Sequence, residues 1–210
     1  MKIAILGGSF DPIHLGHLSI ARAAMEELDL DRVLLMPARV SPFKQGKKRA
    51  SDRDRIVMAE LAAKTMDGAV VSTWEMDREQ VSYTFDTLDI LSREHPENAY
   101  VFLMGTDSFL QLDTWYRGEE MLRRFTFGLA PRPGFRAEEY EEKLEGYRAR
   151  YGAHVTVLKN EPVPVSSTEI RARAAEGKSL EGMVPKSVEQ YIYEHKLYQK
   201  VSGTAPLGEA

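Results

Sequence analysis

The chain has 210 residues, a net charge of −4 and no cysteine. That length suits one domain with a full core and at most a small appendage, and the missing cysteines exclude disulfide and thiol chemistry. No apolar run approaches membrane-span length, and the net acidity argues against a general nucleic-acid binder. No signal-peptide pattern precedes the first strand, so the expected location is the cytoplasm.

Ile3-Ala4-Ile5-Leu6 is a short apolar run ending in Gly7-Gly8, as in a buried strand of a parallel sheet. From Leu15 to Leu28 the apolar residues recur at helical spacing. The stretch between is therefore a strand-to-helix turn, the place where an open α/β sheet holds its ligand. Its composition suits a phosphate. Gly7 and Gly8 let backbone approach a ligand, Ser9 offers a hydroxyl, and Asp11 can hold the loop through local backbone bonds. The helix start adds N–H groups and a positive dipole end. His14 and His17 share one face of the first turn, where two imidazoles can donate to phosphoryl oxygens as charge builds. Gly16 leaves room for a group against the backbone. Two histidines at this spacing also match metal ligation, although no third ligand cluster accompanies them. The turn lacks the Gly-Lys-Ser/Thr ending of a Walker loop, and it breaks the G-x-G-x-x-G dinucleotide pattern.

Arg32 to Pro37 reads as a second buried strand. A long loop follows to Ala50, with Lys44, Lys47, Lys48 and Arg49. Lys44 sits in the stiffer Ser41-Pro42-Phe43-Lys44 context and can reach a phosphate as a point charge; the other three read as solvated surface. Ser51 and Asp54 cap a helix to about Met66, with an apolar face of Ile56, Val57, Ala59, Leu61 and Ala62. Ala69 to Ser72 is a third strand. Ser82 is the expected N-cap of a helix whose free N–H groups near Thr84 suit a carboxylate. Ala99 to Gly105 is a fourth strand, ending in Gly105-Thr106-Asp107-Ser108. Asp107 suits ribose hydroxyls there, and it serves equally well as a plain helix cap. Leu110, Leu112 and Trp115 are expected to continue that helix. Trp115 and Tyr116 near its end read either as core or as a stacking platform.

Thr126 to Ala130 is a fifth strand, ending in Pro131-Arg132-Pro133-Gly134, where Arg132 is either a phosphate contact or a turn residue. Ala137 to Arg150 reads as a charged, solvated helix without chemistry, and Ala153 to Leu158 as a sixth strand. Ser166, Ser167 and Thr168 then open a helix, with Glu169 at capping-box spacing from Ser166. Three hydroxyls exceed what a cap needs, and Arg171 opposes the dipole in the first turn, so this is a second anion site. A last helix opens with Pro185 at its first position and runs through Tyr198. Residues 201–210 are expected to be a disordered tail behind a single domain over 1–200. Strands and helices alternate, which predicts a Rossmann-like α/β open parallel sheet with helices on both faces.

GGSFDPIHLGH, residues 7–17, closely resembles the first signature of the HxGH nucleotidyltransferases, and SSTEIR, residues 166–171, resembles the second. SPFK, SYTFDTL and GTDSFLQLDTWY resemble segments of the nicotinate mononucleotide branch, the bacterial nicotinate-nucleotide adenylyltransferases. The resemblance implies adenylyl transfer from ATP to nicotinate mononucleotide. The products would be nicotinate adenine dinucleotide and pyrophosphate, in a step of NAD biosynthesis, with Mg²⁺ arriving with ATP. It implies that His14, His17, Lys44 and Arg171 are catalytic. ATP would be held by Gly7, Gly8, Ser9, Phe10, His14, His17, Gly105, Asp107, Ser166, Ser167, Thr168, Ile170 and Arg171. The mononucleotide would be held by Lys44, Thr84, Asp107, Trp115, Tyr116 and Arg132. The rivals are an HxGH enzyme for phosphopantetheine or nicotinamide mononucleotide, and a non-catalytic nucleotide sensor. No membrane or nucleic-acid partner is expected, and a homo-oligomer is left open.

Overall fold

Strand β1 (Lys2–Gly8) buries side chains on both of its faces, and the alternation assigns them to two separate cores. Ala4 and Leu6 belong to one, Ile5 to the other. The computed structural model describes residues 1–39, 50–78, 83–132, 134–159 and 161–199. The other strands are β2 (Arg32–Pro37), β3 (Ala69–Val71), β4 (Ala99–Gly105), β5 (Thr126–Ala130) and β6 (His154–Val157). They form one parallel sheet in the order β3-β2-β1-β4-β5-β6. The order reverses between β1 and β4, so the chain leaves these neighbouring strands in opposite directions and a crevice opens at their carboxyl ends.

One core lies under α1 (Leu15–Glu27), α2 (Asp52–Ala63), α7 (Ser167–Ala175) and α8 (Lys186–Glu194). The other lies under α3 (Thr84–Glu94), α4 (Thr106–Phe109), α5 (Gly118–Arg124) and α6 (Ala137–Tyr151). The fold is the expected Rossmann-like α/β sheet with both faces covered. Among the described residues, no helix is long and apolar enough to cross a membrane.

Several local expectations change. The helix after β4 stops at Phe109, and a 3₁₀ turn over Leu112–Thr114 replaces its continuation. Phe109 and Leu112 are both fully buried, and a three-residue turn puts both into the same core. Gly118 closes the corner: a Cβ there would sit 2.1 Å from the Leu112 carbonyl oxygen. This is why α5, which sequence reasoning omitted, starts where it does. Helix α6 is not only a solvated face. Lys143 Nζ and the Tyr147 hydroxyl donate to the two carboxylate oxygens of Asp113, at 2.9 and 2.8 Å, and pin the 3₁₀ turn.

The buried stripe of α2 is Arg55, Met58, Ala59, Ala62 and Ala63, a regular 3-and-4 spacing, while Ile56, Val57 and Leu61 are only half-buried. Helix α8 ends at Glu194, with Pro185 at its N-cap. The N-cap of α3 is Tyr83, which supplies no side-chain bond; Ser82 lies outside the described residues, as do Lys44 and the 201–210 tail.

Candidate active site

The β1–α1 turn and the start of α7 meet at the carboxyl edge of the sheet, although 155 residues separate their contacts. The Ser167 hydroxyl donates to the Pro12 carbonyl at 3.0 Å, and Arg171 Nη1 donates to the Asp11 carbonyl at 2.7 Å. Ser166 caps α7 by accepting from Glu169 N–H at 3.2 Å; the reciprocal half of a capping box is not formed. Thr168 Oγ1 accepts from Arg171 Nη2 at 3.2 Å. Ser167 and Thr168 keep backbone N–H groups with no partner among the described residues, at the positive end of α7.

The start of α1 differs from expectation. Its N–H groups are mostly engaged within the protein: Leu15 N–H donates to Met183 O at 2.9 Å, and His17 N–H to His14 O at 2.9 Å. Gly16 N–H alone in that first turn has no partner among the described residues. The two imidazoles, rather than a row of free amides, make this end of the site. Their rings stack at 3.7 Å, and the edge of Phe10 meets His17 at 5.0 Å. His17 Nδ1 accepts from His14 N–H at 3.2 Å, so the proton of neutral His17 sits on Nε2. His14 Nδ1 is buried with no partner among the described residues. It faces back into the first turn of α1, where the His14 side chain and the His17 N–H form the other half of a capping box. Burial, reinforced by the Arg132 guanidinium, lowers the His14 pKa to about 4. Burial, then His14, then Arg132, hold His17 well below its ordinary value.

Three glycines make this packing possible. A Cβ on Gly16 would stand 3.1 Å from the His14 ring and 3.3 Å from Val165; on Gly8, 2.9 Å from the Phe10 ring; on Gly105, 2.8 Å from Arg132 Nε. Arg132 therefore lies across Gly105. Its N–H donates to Thr106 Oγ1 at 3.1 Å, and its Nη1 pairs with Asp107 Oδ2 at 3.0 Å. Both side chains of that pair are about half exposed.

Thr84, Trp115 and Tyr116 gather on the other face of the sheet. Thr84 is the first residue of α3, and its N–H is unpartnered among the described residues. Tyr83 and Tyr116 pair at 4.5 Å and are both exposed. Trp115 packs edge-on to Phe102 at 6.4 Å, and Phe102 is the residue a Cβ on Gly7 would touch. Ile170, by contrast, is fully buried core beneath α7.

Two residues that hold this site were not singled out from sequence. Arg55 is 1% exposed and bonds the carbonyls of Ser9 (2.6 Å) and Ala38 (2.7 Å), which ties the exits of β1 and β2 together. An arginine in register with the apolar stripe of α2 was the available signal. Tyr198 donates to Asp11 Oδ1 at 2.9 Å, and nothing local announces that contact. Among the described residues no group of three His, Cys, Asp or Glu is placed to hold a metal ion.

Residues 5–173 match the model of the cytidylyltransferase-like family, so the chain is a cytidylyltransferase-like protein. Two curated relatives bear the name "Probable nicotinate-nucleotide adenylyltransferase". The one from Exiguobacterium sibiricum is 41% identical over 94% of this chain and 99% of its own. The one from Thermoanaerobacter sp. is 37% identical over 95% of both chains. Within that class, the chain belongs to the nicotinate-nucleotide adenylyltransferase family. The same architecture occurs in the nicotinic acid mononucleotide adenylyltransferase of Plasmodium falciparum, complexed with NaAD. That structure superposes with a TM-score of 0.76 at 18% identity, over 94% of this chain and 97% of that one.

Proposed function

We propose that this protein transfers the adenylyl group of ATP to nicotinate mononucleotide, giving nicotinate adenine dinucleotide and pyrophosphate. The observation that carries the reading is the closure of the SSTEIR helix onto the HxGH turn, which ties Ser167 and Arg171 to the same turn that leads into the two stacked imidazoles. The relatives' shared name and the NaAD complexed with the structural neighbour support the choice of acceptor.

A phosphate oxygen of the mononucleotide attacks the α-phosphorus of ATP. The new O–P bond forms as the bond to the β-phosphate oxygen breaks, and pyrophosphate carries away the electron pair. No covalent enzyme intermediate is needed, so the protein contributes positioning and charge stabilisation. His14 and His17 stabilise the α-phosphoryl oxygens. Neutral His17 does so through its Nε2–H, so no proton need be gained before the reaction. Arg171 and the free N–H groups of Ser167 and Thr168 take the β- and γ-phosphates. Gly7, Gly8, Ser9 and Phe10 form the floor of the turn. Lys44 is a further phosphate contact in this reading. Arg132 exchanges Asp107 for the mononucleotide phosphate, which releases Asp107 to ribose hydroxyls. Thr84, with the unpartnered amides of α3, receives the ring carboxylate, while Trp115 and Tyr116 flank the ring. A divalent ion, Mg²⁺ in our reading, would come with ATP and supply charge neutralisation to the triphosphate beside Arg171 and the α7 amides.

The test is pyrophosphate release from MgATP with nicotinate mononucleotide, nicotinamide mononucleotide or phosphopantetheine, each product identified by mass. Preference for the first is expected. Preference for the amide would remove the role given to Thr84. Release with phosphopantetheine alone would remove the acceptor half of the site, and no release at all would favour a nucleotide sensor.

A further inference from the structure

Tyr198 is held in a conformation that a large side chain rarely adopts. Beyond α8, Lys196 takes a φ of 51° and Leu197 N–H donates back to Ile192 O at 2.9 Å, the six-to-one bond of a Schellman-type end. Tyr198 follows with a φ of 65°. A bulky residue stays in the left-handed region only when its surroundings hold it there. Here the hydroxyl is anchored on Asp11 Oδ1 at 2.9 Å, across 187 residues.

Asp11 is 2% exposed and works in two directions. Oδ1 accepts from Tyr198 and also from Ala50 N–H at 3.1 Å. Toward α7, Oδ2 lies 3.8 Å from Arg171 Nη1, and that same Nη1 bonds the Asp11 carbonyl at 2.7 Å. The Arg171 side chain is 24% exposed, so it is gripped from behind while part of it stays open to a ligand. Burial keeps this carboxylate from reorienting cheaply, and its orientation sets where the guanidinium rests.

We propose that Tyr198 is a positioning residue for ATP: through the Asp11 carboxylate it fixes the placement of Arg171 against the triphosphate. The inference rests on the reading of Arg171 as a phosphate contact. Removing the hydroxyl loosens the carboxylate and lets the guanidinium drift, while the Asp11 carbonyl still holds it loosely. ATP binding should weaken without being lost.

Tyr198→Phe removes the hydroxyl and keeps the ring. Its KM for MgATP should rise about five- to tenfold, less than for loss of a direct hydrogen bond to a charged group because the hydroxyl acts through Asp11, with kcat and the acceptor KM within about twofold of wild type. Calorimetric titration with a non-hydrolysable ATP analogue should show the same loss. In an Arg171→Ala background the hydroxyl should matter little, so that the double variant binds the analogue about as weakly as Arg171→Ala alone. A thermal midpoint within a few degrees of wild type would exclude general loosening. Unchanged analogue binding by Tyr198→Phe, an equal rise in both KM values, or penalties that multiply in the double variant would overturn the proposal. Wild-type analogue binding by Arg171→Ala would overturn it too, by removing the residue through which Tyr198 acts. If the unaltered chain released no pyrophosphate, the functional reading would fall, and the calorimetry would still decide the case of Tyr198.

Discussion

Gly16→Ala adds one methyl group between the His14 ring and Val165. The new Cβ would lie 3.1 Å from His14 Cε1 and Nδ1 and 3.3 Å from Val165 Cγ1, against the roughly 3.5–4.0 Å at which carbon contacts are comfortable. The His14 ring has to give by about half an ångström. It cannot yield toward His17, because the two rings already stack at 3.7 Å. Overpacking of this kind costs about 1–3 kcal/mol, and alanine returns up to about 1 kcal/mol by favouring the first turn of α1. The net loss of stability is therefore no more than about 3 kcal/mol, a fall in Tm of no more than roughly 12 °C. The effect on turnover is larger, because the displaced ring is the one assigned to the α-phosphate: kcat should fall about 10- to 100-fold. Coupled pyrophosphate release and a thermal melt on the same sample separate the two effects. Gly146→Ala is the control. A Cβ at Gly146, inside α6, meets nothing within 4 Å, so this variant should gain about 0.5–1 kcal/mol and keep full activity. A Gly16→Ala enzyme with kcat within twofold of wild type would refute the claim that the position of the His14 ring governs the reaction.

His17→Ala should lower kcat on the order of 100- to 1,000-fold while Tm moves by only a few degrees; near-normal turnover would remove its role. Acid should destabilise the protein through His14. The unfolded histidine takes up a proton near pH 6.5, but the folded one does so only near 4, so stability is full above about 6.5 and falls as pH drops toward 4. The loss approaches about 3 kcal/mol, and urea midpoints at pH 7 and 4.5 should differ less in His14→Asn than in wild type. Gly118→Ala drives a methyl group against the Leu112 carbonyl oxygen and should cost more than about 3 kcal/mol in urea unfolding. Wild-type stability in that variant would mean that the 3₁₀ corner is not closed as described.

Where a strand is a continuous apolar run between turn residues, its ends were legible. Arg32–Pro37, Ala99–Gly105 and Thr126–Ala130 appear as read. The turns into α1 and α7 were legible as helix starts because glycine, hydroxyl and histidine residues mark them locally. What failed was whatever a distant partner decides. Leu110, Leu112 and Trp115 carry a helical spacing, yet the close approach of Gly118 to Leu112 breaks the helix. The amides of α1 looked free, because no local pattern shows that Met183 comes back to cover Leu15. The apolar count favoured Ile56, Val57 and Leu61 on α2, and missed Arg55, whose burial depends on two carbonyls just beyond the ends of β1 and β2. Asp11 looked like a local loop brace, but its carboxylate reaches Ala50 and Tyr198.

The sheet separates the support for the two substrates. The β1–α1 turn and α7, to which we assign the triphosphate, rest on a core that includes Ile13, Leu18 and Ile170; Thr84, Trp115 and Tyr116, to which we assign the acceptor, rest on one that includes Phe85, Phe102 and Leu112. Repacking around Phe85 is thereby insulated from the ATP side, since a whole sheet lies between it and Ile170, whereas Phe102 lies against Gly7 and links the two sides. A lineage can retool what receives the adenylyl group while inheriting the donor machinery intact. An engineer seeking a new acceptor should confine a library to the Phe85 side and leave the Ile170 side untouched.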